Sequence, residues 1–246
     1  MKHATFRCYA ELNDFLPPER RYTEFFYSFE ISGSVKDAIE NIGVPHTEID
    51  LILVNGEPAG FHYLVQDGDR ISVYPVFEAI DITPLLRLRP QPLRETRFVL
   101  DTHLGRLAAY LRMLGFDALY RNDFTDEQLA AVSSRDRRIL LTRDRGLLKR
   151  SEVTHGYAVR ETGPRAQIAE ILRRFDLAGS VKPFSRCMSC NAPLEDAAKE
   201  QAPPAVRERY HDFRACPACQ RIYWKGSHRR RMSRLIENLL PTAGRI

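Results

Sequence analysis

Arg97-Phe98-Val99-Leu100-Asp101-Thr102-His103-Leu104-Gly105-Arg106-Leu107-Ala108 decides how this chain is read. Phe98-Val99-Leu100 is a short apolar run, as a buried strand requires, and an aspartate follows it directly. Leu104, Leu107, Ala108, Leu111 and Leu114 then recur at helical spacing until Gly115 stops the series. The alternation continues with a strand at Ala118-Leu119-Tyr120. A capping box, Thr125-Asp126-Glu127-Gln128, starts the next helix. Ile139-Leu140-Leu141-Thr142 and Tyr157-Ala158-Val159 are two further strands. Pro164 stands near the start of a helix carrying Ile168, Ile171, Leu172 and Phe175. Strands alternating with helices predict an α/β fold, with a parallel sheet covered by helices on both faces.

In an open parallel sheet, ligands bind beyond the carboxyl ends of the strands. Asp101, Asp123, Asp144 and Glu161 each lie just past one of the four strands. Carboxylates gathered at one edge repel unless a cation neutralises them, and hard oxygen ligands suit Mg2+ or Mn2+. Such a site supports phosphodiester hydrolysis, because a bound metal lowers the pKa of water and stabilises the leaving oxygen. Asp101, Asp123 and Asp144 are therefore the catalytic candidates, with Asp101 and Asp144 as ligands of Mg2+ or Mn2+. Each could instead be a turn or helix-cap residue. Asp126 serves the start of its helix, and Asp117 sits at the opposite edge. Arg106 and Arg143 are placed to hold a phosphate during catalysis, and Arg112 to hold a phosphate of a bound nucleic acid, each through a fork of N–H donors.

Toward the C-terminus come Cys187-Met188-Ser189-Cys190 and Cys216-Pro217-Ala218-Cys219, with 25 residues between the pairs. Two such turns supply the four sulfurs of a closed structural zinc shell; two disulfides are the alternative. Zinc is the expectation, as one small ribbon module over residues 180–246. Tyr223-Trp224-Lys225-Gly226-Ser227-His228-Arg229-Arg230-Arg231 follows. Trp224 is expected to pack on the ribbon, while Lys225, Arg229, Arg230 and Arg231 bind a nucleic-acid backbone. Residues 228–240 turn from basic to apolar, as an amphipathic helix does.

Residues 1–80 hold 6 Lys and Arg against 13 Asp and Glu, and residues 81–246 hold 31 against 19. An acidic first part therefore precedes a basic body suited to a phosphate-rich partner. Ala4–Leu12 and Thr23–Ile31 read as strands, Ser34 opens a short helix, and Ile49–Val54 turns at Asn55-Gly56. With a last strand at Arg70–Tyr74, this is the order of an α+β β-grasp domain. Residues 81–96 are a linker with Pro84, Pro90 and Pro92, in which Leu85, Leu86, Leu88 and Leu93 suggest local packing. No run approaches the ~20 apolar residues of a membrane span, and no apolar segment follows Met1-Lys2-His3-Ala4. A cytoplasmic protein without a membrane partner is expected.

The segments 100–108, 111–117 and 138–145, both cysteine pairs and Tyr223–His228 together resemble the Mut-seven C-terminal ribonuclease family, a branch of the PIN-like nucleases with a fused zinc ribbon. The resemblance implies a PIN-like core at 97–179 and RNA as substrate. It also implies three or four acidic residues with Mg2+ or Mn2+: Asp101, Asp144, Asp123 and, last, Glu161. Residues 1–80 resemble the ubiquitin-like domain often placed ahead of this family, similar to sulfur-carrier β-grasp proteins. Those carriers end in Gly-Gly; here Tyr74-Pro75-Val76-Phe77-Glu78 runs on. That departure implies docking of a protein partner or presentation of RNA rather than sulfur transfer.

Overall fold

Alternating burial along Lys2–Cys8 (β1) sends Ala4, Phe6 and Cys8 into a core, in a computed structural model that describes residues 1–75, 88 and 96–240. β1 pairs antiparallel with β2 (Phe25–Phe29). The Ser34 hydroxyl accepts the Asp37 N–H and caps α1 (Val35–Asn41). β3 (Ile49–Val54) and β4 (Glu57–Ala59) form a hairpin whose turn residues, Asn55 and Gly56, both take the positive φ that such a turn demands. β5 (Arg70–Pro75) runs parallel to β1 and antiparallel to β3, so the sheet order is β2-β1-β5-β3-β4. One helix and a mixed five-stranded sheet make the expected β-grasp domain.

The first strand stops short of the expected Leu12. Ala10 takes a φ of 46°, and Ala10–Phe15 coils into a 3-10 turn. Buried Asn13 holds that turn, donating to the carbonyls of Cys8 and Ala10 and accepting the Tyr22 N–H at 2.7 Å. Burial pushes the Cys8 thiol up to about 12, which makes it an inert core residue.

The second region is α/β with parallel strands. β6 (Arg97–Leu100), α2 (Gly105–Met113) and β7 (Asp117–Tyr120) form one βαβ element, with β6 and β7 parallel. Phe98, Val99 and Leu100 are fully buried, as their continuous apolar run requires. Leu104, Leu107, Ala108, Leu111 and Leu114 all face the core. Gly115, at φ +95°, ends α2 in a Schellman motif: the Phe116 N–H reaches the Leu111 carbonyl and the Gly115 N–H that of Arg112. α3 (Asp126–Arg135) begins with both bonds of the Thr125–Gln128 capping box. β8 (Ile139–Thr142), the short α4 (Arg145–Leu148) and β9 (Gly156–Ala158) form a second element with β8 and β9 parallel, and α5 (Pro164–Arg174) follows. β10 (Glu195–Asp196), β11 (Phe213–Ala215) and β12 (Ile222–Trp224) make a three-stranded antiparallel sheet. α6 (Pro204–Arg207) lies between β10 and β11, and α7 (Ser227–Leu239) follows β12. Among the described residues no helix is long and apolar enough to cross a membrane. The linker reading lies outside the described residues, except at Leu88 and Thr96.

The chain divides into two compact units: Met1–Glu95 with Thr125–Ala158, and Thr96–Phe124 with Val159–Ile246. The division falls inside the expected 97–179 core, because the first unit ties the β-grasp domain to residues 145–158 by specific polar contacts. The Ala158 N–H donates to Glu48 Oε1 at 2.5 Å, which gives the backbone of the short strand β9 a buried acceptor. Buried His46 sits with Nδ1 2.6 Å from Glu40 Oε1 and Nε2 2.8 Å from the Val153 carbonyl. Lys149 Nζ donates to the Glu40 carbonyl at 2.6 Å. The Arg145 guanidinium donates to the Asp14 carbonyl and lies 4.8 Å from the centre of the Phe15 ring. Glu48 is fully buried, so Glu48→Ala takes this acceptor away from the Ala158 N–H and leaves a void in the interior. We expect a loss of about 1–3 kcal/mol in unfolding free energy, read from the urea midpoint. An unchanged midpoint would show that this contact does not hold the unit together.

Candidate functional site

In the second unit the two cysteine pairs converge. Their sulfurs all lie within 4.8 Å of one another, with Cys187–Cys219 at 3.5 Å and Cys190–Cys216 at 3.3 Å. A disulfide needs about 2.05 Å, whereas four sulfurs each ~2.3 Å from a central ion are roughly 3.8 Å apart. All four thiols are free, and the spacing fits a structural metal ion such as zinc. Both turns close alike. Asn191 and Gln220, each directly after the second cysteine of its pair, take positive φ and donate their N–H to the carbonyls of Cys187 and Cys216. Burial opposes ionisation of Cys187. The Tyr223 hydroxyl, 3.1 Å away, and the N–H groups of Cys190 and Ser189 outweigh it and bring the thiol down to about 6.

Two side chains stitch this centre to β7. Arg112 is buried; its Nε donates to the Ala118 carbonyl at 2.8 Å and its Nη1 to the carbonyls of Ser189 at 2.7 Å and Met188 at 3.2 Å. Burial holds its pKa below the usual range, against the pull of Cys187 and Cys190. This corrects the sequence reading: a guanidinium committed to three carbonyls is not offered to RNA. Asn191 accepts the Ala118 N–H and donates to Asp117 Oδ1 at 2.7 Å. Asp117, set aside as lying at the wrong edge, thus has a structural partner.

The strand-end carboxylates fall into different settings. Asp101 ends β6, is only 8% exposed and caps the 3-10 turn Thr102–Leu104. Its Oδ1 accepts the Thr102 N–H at 2.6 Å and the Thr102 hydroxyl at 3.2 Å, and its Oδ2 is 3.3 Å from His103 Nδ1. Asp144 lies two residues past β8 and caps α4, its Oδ1 accepting the N–H groups of Gly146 at 2.7 Å and Leu147 at 3.4 Å. It is exposed, and Oδ2 has no hydrogen-bond partner among the described residues. Asp123 lies on the surface, gripped by both prongs of Arg121 at 2.9 and 2.7 Å, and that partner lowers its pKa. Glu161 is exposed.

Among the described residues, the four cysteines are the one set of three or more His, Cys, Asp or Glu side chains gathered closely enough to hold an ion. The acidic residues give no such trio. Glu170 was missed by the strand-end rule because it lies on a helix; it is buried and accepts the N–H groups of Arg160 and Glu161.

The basic candidates are exposed for the most part. Arg106, Arg143, Arg230 and Arg231 reach solvent without a hydrogen-bond acceptor among the described residues. Lys225 is held by Asp212 at 2.5 Å, and half-buried Arg229 sits 4.7 Å from the centre of the Phe184 ring.

No curated protein and no solved structure matches the chain. The family model described as Mut7-C ubiquitin matches residues 1–81, where the β-grasp sheet stands. That described as Mut7-C RNAse domain matches residues 96–236, more than half of the chain and the stretch containing both βαβ elements and the cysteine centre. The chain therefore belongs to the Mut7-C RNAse family.

Proposed function

We propose that this chain is a metal-dependent ribonuclease that hydrolyses RNA phosphodiester bonds. The match of residues 96–236 to an RNAse domain carries this reading. It is supported by Asp101 and Asp144, each fixed by backbone N–H groups just past a parallel strand. These two carboxylates would hold Mg2+ or Mn2+, which supplies a water nucleophile and charge stabilisation at the phosphate. Arg106 and Arg143, exposed and without acceptors among the described residues, steady the scissile phosphate through N–H forks. Arg229, Arg230 and Arg231 in the first turns of α7, with Lys225, neutralise the RNA backbone. The four cysteines take zinc as a structural ion, and reduced thiols fit the cytoplasm. A protein partner of the ubiquitin-like domain would use a face other than the one that His46, Glu48 and Phe15 already present to residues 145–158.

One observation favours a second reading, a non-catalytic RNA-binding adaptor: Asp101 and Asp144 both act as caps, and no acidic trio forms among the described residues. Labelled single-stranded RNA separates the two. We expect cleavage with Mn2+ or Mg2+ and none when the added ion is omitted. RNA bound with salt-sensitive affinity but never cut under either condition would establish the adaptor instead.

A further inference from the structure

The ribbon carries a cavity that the acidic residues do not explain. It has a volume of about 350 Å3, at the small end of the ~300–1,000 Å3 range of ligand pockets. Aromatic side chains line it: Phe184, Tyr210, Tyr223 and Trp224. So do four guanidinium groups, from Arg186, Arg209, Arg214 and Arg229, and no carboxylate belongs to its wall. Arg186 lies 3.7 Å from Asp117 and Arg214 lies 3.4 Å from Asp196, so part of their charge is spent. Arg209 and Arg229 form no ion pair among the described residues. Arg229 is instead laid over the Phe184 ring.

Two ring donors meet at one wall. A Cβ on Gly226 would stand 2.8 Å from Trp224 Nε1 and 3.7 Å from the Tyr210 hydroxyl, so these polar ring atoms converge over a backbone that only glycine leaves open. Neither donor has an acceptor among the described residues. Trp224 is half-buried, so one part of its ring stays open to the cavity. Flat rings suit a flat aromatic guest, unpaired guanidinium groups suit an anion, and the two unsatisfied donors suit a polar ring edge.

We propose that this cavity binds one nucleotide of single-stranded RNA, with the base among Phe184, Tyr210 and Trp224 and its phosphate on Arg209 and Arg229. The proposal rests on the ribonuclease reading for its choice of RNA. It adds a binding subsite, distinct from Asp101 and Asp144, that anchors the strand by a base and not by its backbone alone.

Trp224 is the one tryptophan in the chain, so its emission reports on this cavity directly. The experiment uses the full zinc-loaded chain with no Mg2+ or Mn2+, titrated with a short oligouridylate and with an abasic ribose-phosphate oligomer of equal length. We expect saturable quenching by the first, with affinity about tenfold or more above that of the abasic oligomer. Phe184→Leu and Arg229→Gln should each weaken oligouridylate binding about tenfold, with zinc content unchanged to show that the ribbon is intact. Equal affinity for both oligomers, unmoved emission, or unaffected variants would each overturn the proposal. Quenching in a chain that cuts no RNA would leave this subsite standing and remove the ribonuclease reading. Cleavage with unmoved emission would do the reverse.

Discussion

Asp144→Asn is expected to lower metal-dependent RNA cleavage by about 10²–10⁴-fold while RNA affinity holds or rises. The magnitude follows from the several kcal/mol a metal ion contributes at a reacting phosphate, at about 1.4 kcal/mol per tenfold in rate. Asparagine isolates the charge. Its amide oxygen can still accept the Gly146 and Leu147 N–H groups that Asp144 Oδ1 holds, and asparagine caps helices as well as aspartate does. The fold around α4 should therefore stand, and the variant loses only a negative oxygen for the ion. Affinity should not fall, because a carboxylate repels the approaching phosphate. Asp123→Asn provides the contrast: its side chain is exposed and already gripped by Arg121, so less than tenfold should be lost. Initial rates at saturating Mn2+ on one labelled RNA, with affinity measured in parallel, decide the matter. Full activity in Asp144→Asn would remove that residue from the catalytic site.

Stripping zinc should have the larger structural effect. In small zinc modules the free energy of metal binding is folding free energy, on the order of 10 kcal/mol. Here the loss should spread beyond the ribbon. Without the ion the turn at Cys187–Cys190 is released, and the carbonyls of Met188 and Ser189 leave the Arg112 guanidinium. Asn191 also leaves the Ala118 N–H and Asp117. A buried guanidinium stripped of two of its three acceptors is costly, so α2 and β7 should loosen as well. Hydrogen exchange before and after chelation reads this directly: amides of residues 186–224 should lose protection, and those of 112–120 should follow. Protection lost in the ribbon alone would refute the coupling. Protection unchanged throughout, or a metal content far from one zinc per chain, would refute the four-thiolate shell.

Much of this architecture was legible in local pattern. The buried runs at Phe98–Leu100 and Ile139–Thr142, the leucine stripe of α2 with its stop at Gly115, and the Thr125–Gln128 capping box all depend on neighbours within about four positions, where helix and strand periods are set. The cysteine pairs were legible for the same reason, since each turn is made of adjacent residues. The β-grasp order needed only strand count, one helix and a recognisable turn.

What the sequence by itself determined, then, was the succession of elements, the thiol centre and the aspartates past the strands. The tertiary structure alone decided the fate of the polar side chains. Arg112 looked free for phosphate, and became a buried tie because carbonyls 76 and 77 residues away converge on it. Glu48 looked like an ordinary acidic residue, and became the acceptor for a backbone N–H 110 residues distant. Asn13 curtailed a strand whose apolar pattern ran on. Trp224 at the end of β12 and Tyr210, between α6 and β11, were brought together over Gly226. Apolar periodicity records where a side chain points along its own element. A long polar side chain takes its role from whichever distant donors and acceptors the folded chain brings within 3 Å, and no local pattern encodes that.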